Sequence, residues 1–417
     1  LLQDRNEDYY RGGKMKRIFI LFLLLTQISY GRVFIKITKN FTEKAEIVIL
    51  LKKKPDIYWR KFIKTLAQDL EYSGFFTVNE ARFIKNLEGE KKKYSTELLL
   101  YNLSENGRIK FVIEDILDNK RIFEDIFTPL SNPREFAHLL NDKIVFALTG
   151  KPGIASTKIL FVSDKDGSHQ IYSIDYDGEN IRKITNEKYH LAFPRWFSKN
   201  SFLFISYKGG WPKIVKYSIS TGKKEILLAH PGLNACPSIS ISTKEIAAVL
   251  SKSGNPEIYI TDFYGNIKKR LTYYRGIDSS PSFSPDGKNI CFVSDRQGSA
   301  QIFIMDKDGY RVKRISYISS YSTCPRWSPD GNFIAYIILK RKKFGIAIYE
   351  VPTGKTKIVG ENLGCEEISW APDSRHIVYT KSDKFPSTLW IFDIYTKEKR
   401  RLTESKYNAF SPSWSYN

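Results

Sequence analysis

One short motif returns along this chain at a nearly constant step. Pro-x-aromatic-Ser stands at Pro194, Pro237 (with Ile239 in the aromatic place), Pro281, Pro325 and Pro412, and a degenerate copy begins at Ile368. The steps are 43, 44, 44, 43 and 44 residues. In the clearest copy, Pro281-Ser-Phe-Ser-Pro-Asp-Gly287 leads into Asn289–Asp295, Gln301–Asp306, an Asp308-Gly309 turn and Val312–Ser316. These are four runs rich in β-branched and aromatic residues, each closed by a cluster that accepts the positive φ of a tight turn. Four strands per 44 residues, repeated, describe the blades of a propeller.

The last hairpin of each unit recurs at Gly178, Gly222, Gly265, Gly309, Gly354 and, without the glycine, Lys397. The first hairpin precedes the first motif, and the last motif follows the last hairpin. Residues 158–185 therefore supply three strands of a blade and the tail supplies the fourth. Six blades result, with the terminal strands locked together and no sheet edge left open. The expected architecture is an α+β N-terminal domain followed by an all-β six-bladed propeller closed by the C-terminal strand. The expected boundaries are 1–31 for an upstream extension and leader, 32–150 for the α/β domain and 151–417 for the propeller.

Before the repeats, alternation marks strands at Val33–Ile37 and Glu46–Leu51. An amphipathic helix over Asp56–Tyr72 follows, ending at Gly74. Phe75–Val78 reads as a short strand, 80–87 as a small helix, 95–101, 108–117 and 120–128 as strands, and 133–148 as a second long helix. The pattern predicts a helix pair on one face of a mainly antiparallel sheet. Ahead of all this, the basic Met15-Lys-Arg17, the apolar Ile18–Leu25 and the small residues of Ser29-Tyr-Gly31 read as a secretory signal peptide cut after Gly31. Its apolar core is far shorter than the ~20 residues a spanning helix needs. A buried strand is the other reading.

The net charge of +21 is carried mostly by dispersed lysines. Scattered lysine reads as a solvated surface, and an exported chain is not expected to meet nucleic acid. No structural disulfide is expected; Cys324 with Cys365 is the pair worth testing. There is no G-x-S-x-G, H-E-x-x-H or Walker loop, and no metal-spaced Cys/His set. Asp164-Lys-Asp166-Gly and Asp306-Lys-Asp308-Gly echo a calcium loop but lack its trailing glutamate, so turn chemistry accounts for them. Trp196, Trp327, Trp370 and Trp414 recur at one strand position, as packing between blades or as a stacking platform for sugars. No catalytic residue, metal or cofactor is expected.

The repeat Pro281-Ser-Phe-Ser-Pro-Asp-Gly…Phe-Val-Ser-Asp…Gln-Ile-Phe-Ile-Met-Asp…Lys-Arg-Ile-Ser316 resembles the propeller unit of the TolB family, the periplasmic component of the Tol–Pal system. The likeness extends to the passage Leu148-Thr-Gly-Lys-Pro-Gly-Ile154 and the terminal Phe410-Ser-Pro-Ser-Trp-Ser-Tyr416. It implies a non-enzymatic, monomeric periplasmic adaptor. In that family the propeller mouth docks the outer-membrane lipoprotein Pal, and the mature N-terminus is captured by the inner-membrane protein TolA, in support of outer-membrane integrity and constriction at division.

The loops preceding each motif run from the outer edge to the hub and ring that mouth. Carried over by position, Pal-type contacts fall on Leu233, Asn234, Ala235, Cys236, Ile277, Asp278, Ser279, Ser280, Tyr321 and Thr323. TolA-type contacts fall on Arg32, Val33, Phe34, Ile35, Lys36 and Ile37, equally readable as the domain's first strand. Two other functions compete: a periplasmic glycan- or peptidoglycan-binding propeller, and a cryptic hydrolase assembled at the channel mouth.

Overall fold

The computed structural model describes residues 43–94, 98–105 and 108–416. The expected upstream extension and leader, residues 1–31, and the segment Arg32–Ile37 lie outside the described residues.

The first sheet forms because β1 (Ala45–Leu51) is apolar on both faces and is buried throughout except at Glu46. Helix α1 (Ile57–Tyr72) starts where the Asp56 carboxylate accepts the Trp59 N–H at 2.9 Å, and the chain turns out of it at Gly74 with φ of 76°. Strand β2 (Phe76–Phe83), helix α2 (Leu87–Lys91), strands β3 (Leu98–Glu105), β4 (Arg108–Asp115) and β5 (Lys120–Phe127), and helix α3 (Pro133–Thr149) follow. The sheet order is β2-β1-β3-β4-β5.

Helices α1 and α3 share one face, where Phe62 packs on Phe111 and Phe136 with ring centroids 5.8 and 5.0 Å apart. Helix α2 covers the other face over Val48, Leu50, Leu99 and Val112. The helix pair is as expected, but the sheet is mixed: β1 pairs in parallel with both β2 and β3. A strand that returns through a 16-residue helix crosses over and comes back parallel, which hairpin reasoning does not capture. The expected helix at 80–87 is also displaced. Strand β2 continues to Phe83, and the short helix begins at Leu87.

Six four-stranded sheets follow, each lettered A to D outward from the hub. Blade I takes A from the tail (Ala409–Trp414) and B to D from Lys158–Ser163, Gln170–Asp175 and Arg182–Lys183. Strand A begins at Leu191 in blade II, Asn234 in III, Asp278 in IV, Ser322 in V and Cys365 in VI. The ring closes where Trp414 pairs with Ile159 and Ala409 with Ser163. The hairpin glycines all have positive φ, and Lys397 takes the same conformation at 65°.

The "calcium-like" carboxylates are engaged in hydrogen bonds, those of Asp306 within its own turn. Asp306 accepts the N–H groups of Asp308 and Tyr310, Asp164 accepts from Asn408, and Asp166 accepts from the Tyr172 hydroxyl.

The α/β sheet and its helices rest on the face of blades I and VI that carries the A–B and C–D turns. Arg134 forks onto Asp175 and Asp177 at 2.6–2.9 Å. Asp69 accepts from the Tyr176 hydroxyl at 2.5 Å and lies 2.7 Å from His138 Nδ1. Arg375 reaches both Asp393 and the Gly74 carbonyl at 2.7 Å. The opposite face, with the B–C turns and the D–A loops, is left uncovered by the described residues. That uncovered face is the mouth.

Candidate functional site

Each D–A loop enters its blade through a bulge. In five blades the residue before the motif proline has a left-handed backbone: Phe193, Cys236, Ser280, Cys324 and Ser411, with φ of 49–54°. A non-glycine residue ahead of proline resists that region, so the bulge is a strained feature held by the ring. Ladder pairing slips across the bulge, for instance between Ala235 and Ser238. The slip fixes which side chains reach the mouth.

The third residue before the motif turns inward in every blade: Leu191, Asn234, Asp278, Ser322, Cys365 and Ala409 are all buried. Asn234 accepts the His230 N–H at 3.0 Å and donates to the His230 carbonyl at 2.6 Å, bracing its own loop. Asp278 is paired with Arg296 at 2.9 Å. Both were expected at a partner surface, but their polar atoms are committed internally. Ala235 is also buried.

Ile277 and Tyr321 are exposed at the rim, whereas Leu233, Cys236, Ser279, Ser280 and Thr323 line it half-buried. All four cysteines are free, so the structure does not join Cys324 to Cys365. Burial pushes the Cys324 thiol up to about 11 and that of Cys365 to about 12. Neither is a ready thiolate.

Sequence reasoning missed how apolar the rim is. Trp211, Tyr273, Tyr317 and Phe385 are 58%, 74%, 69% and 88% exposed on B–C turns and D–A loops. Tyr264 and Tyr310 are as exposed on C–D turns of the other face, but the mouth gathers the larger share, with Tyr207 and Tyr321 beside these four, which marks an interaction surface. Exposed Lys208, Arg275, Lys342 and Lys384 stand among them. A recess of about 370 Å³ lies between Phe193, Glu366, Lys384, Phe385 and Phe410, and none of the ten expected residues lines it.

Residues 145–417 match the family model described as the TolB beta propeller domain. The chain belongs to this TolB propeller family. Among curated relatives, the "Protein TolB homolog" of Chlamydia felis is 36% identical over 139 residues, covering 31% of this chain and 33% of that protein. The homolog of Protochlamydia amoebophila is 35% identical over 147 residues, covering 32% and 31%. The matched stretch thus spans about a third of these relatives.

The crystal structure of TolB from Acinetobacter baumannii superposes with a TM-score of 0.77 at 25% identity, over 90% of this chain and 97% of that one. A putative TolB from Agrobacterium tumefaciens shares the fold at a TM-score of 0.50 and 15% identity. Three of the four repeated tryptophans are packing residues of this ring. Trp196, Trp370 and Trp414 are buried, and their indoles donate to Ser413 O, Arg326 O and Thr157 Oγ1 at 3.0, 2.9 and 2.7 Å. These three pack between strands, whereas Trp327 is half-buried, donates to Gly331 O at 3.0 Å and lines the hub cavity.

Proposed function

We propose that this chain is a periplasmic adaptor of the Tol–Pal type, binding a Pal-type lipoprotein at the propeller mouth without catalysing a reaction. It would thereby support outer-membrane integrity and constriction at division. The observation that carries this reading is the uncovered, aromatic-rich mouth of a TolB-family propeller whose other face is covered at blades I and VI by its own α/β domain. A rigid ring docks a partner at little ordering cost, and exposed Trp and Tyr are the side chains that dominate such contacts. The lysines among them favour a partner with an acidic surface. A second contact is proposed at Arg32–Ile37, a strand-prone peptide suited to adding to the sheet edge of a TolA-type protein.

The test is co-purification of the chain from Arg32 onward with a Pal-type lipoprotein. Capture is expected, weakening as salt rises. Ser279→Glu with Ser280→Glu, at half-exposed rim positions, should abolish it while the melting temperature holds. Failure of the unsubstituted chain to capture the lipoprotein would refute the adaptor reading. Capture by the double variant equal to that of the unsubstituted chain would refute the placement of the contact.

A further inference from the structure

The position after the motif proline is occupied around the ring by Ser413, Arg195, Ser238, Ser282, Arg326 and Ser369, in blades I to VI. The four serines have one shared task. Each accepts the backbone N–H of the second residue after the motif proline (or its Ile368 equivalent) in the next blade: Trp196, Phe283, Trp327 and Trp414, at 3.0–3.2 Å. Blades II and V give up that stitch and carry arginine instead. Three steps apart in a ring of six, these blades stand opposite each other across the channel.

Both arginines adopt the same pose, Nη1 donating to the carbonyl of the preceding proline (Pro194 or Pro325) at 2.8 Å. Arg195 also reaches Pro412 O at 3.4 Å. Neither has a carboxylate within ion-pair distance among the described residues. Glu367, two residues nearer the mouth along its own strand A, is in electrostatic reach of Arg195 only as a more distant charge.

Both arginines line one cavity of about 280 Å³, walled by Trp327, Phe283 and Ile239 and by the exposed Tyr416. The cavity is reached from the A–B turns at Pro285 and Pro329, the face opposite the mouth. Enclosure and the facing Arg326 pull Arg195 down to about 10, with the more distant Glu367 opposing them only in part.

We propose that the hub of the propeller is an oxyanion site, in which Arg195 and Arg326 grip a carboxylate or phosphate group from opposite walls of the channel. The planar fork of arginine matches both groups in a bidentate manner, and apolar walls strengthen the attraction. The volume sits at the lower edge of ligand pockets, roughly 300 Å³, and so suits a small anion or the tip of an acidic peptide rather than a folded partner.

The test is calorimetric titration of the full chain from Arg32 onward with three probes: inorganic phosphate, succinate, and a short peptide ending in glutamates. Saturable binding of at least one is expected, and the probe that binds identifies the source of the anion. Arg195→Ser and Arg326→Ser introduce the residue that four blades already carry, so folding should survive, as an unchanged melting temperature would verify. Each should weaken binding about tenfold or more, the weight of one charge-assisted hydrogen bond. The double variant should show none. Absence of saturable binding for all three probes, or binding unchanged in a folded double variant, overturns the site. Capture of a lipoprotein at the other face is measured separately in the same variants, so the two readings fail independently.

Discussion

Removing one indole at the ring seam should unfasten it. Trp414 is 2% exposed; its N–H donates to Thr157 Oγ1 at 2.7 Å, and its backbone N–H is held by Ser369 Oγ at 3.0 Å. It packs in one cluster with Ile159, Phe161 and Ala371, and so touches both ends of the ring and its neighbour. Trp414→Ala loses the apolar transfer energy and leaves a void that a β-sheet seam cannot close, about 3–5 kcal/mol. Thr157 keeps its hydrogen bond to Ile154 O, so little unsatisfied-polar cost is added. At roughly 2–4 °C per kcal/mol for a protein of this scale, the melting temperature should fall by about 10 °C. Thermal unfolding by circular dichroism measures this, with Ile226→Ala on an exposed outer strand as control. Hydrogen exchange should show the amides of Lys158–Ser163 opening first. If Trp414→Ala melts within about 2 °C of the control, the tail strand does not hold the ring and the closure argument fails.

Three further outcomes follow from particular contacts. Asn234→Ala should destabilise the chain by about 1–3 kcal/mol and loosen the 230–236 loop, because it strips the His230 backbone of buried partners; thermal melts would show it. Gly265→Ala should cost much more than Gly254→Ala. Both have positive φ, but a methyl at 265 collides with the Leu227 carbonyl of the neighbouring blade, while that at 254 meets open space. Burial alone would raise the Asp175 carboxyl, but Lys158 and Arg134 together hold it below the usual carboxylate range. Its stabilising contribution is therefore present above the unfolded value of about 3.9 and lost as pH falls through the folded one. The melting-temperature gap between the unsubstituted chain and Asp175→Asn should shrink steadily below that pH.

The ring was legible because its turns must be built from particular residues. Asp-x-x-Gly at 262–265 and 306–309 has one economical conformation, and repetition every 44 residues turned a local signal into a global one. Lys397 shows that the geometry persists where the preferred residue is absent. The mouth was less legible. Alternation assigns faces only while the period of two holds, and the bulge before each motif proline resets it. Asn234 and Asp278, polar residues in exposed-looking loops, are buried for that reason. In the α/β sheet, the sequence Asn79–Phe83 alternates weakly because β2 is an edge strand, paired only to β1, so its polar residues imitated a helix face. The arginines at 195 and 326 were visible as departures from serine, but their meaning depends on which blades oppose each other.

A single strand thus serves three surfaces, and its position in the repeat decides which. Residues before the motif proline face the mouth, the residue after it faces the channel, and the next is clamped between blades. The last of these carries the stability of the ring, so Trp196, Trp370 and Trp414 are held by both packing and a hydrogen bond. The rim residues are constrained mainly by the bulge, whose strain the closed ring supports, and the channel residue in four blades by its stitch to the next blade. Rim side chains can change with little cost to the fold, whereas a change at the channel position forfeits a stitch between blades. Replacing a serine stitch by arginine sacrifices an inter-blade hydrogen bond and places two like charges across a narrow channel. A sequence that does this twice, at diametrically opposite positions, bears a cost that packing does not repay, whereas a bound anion would.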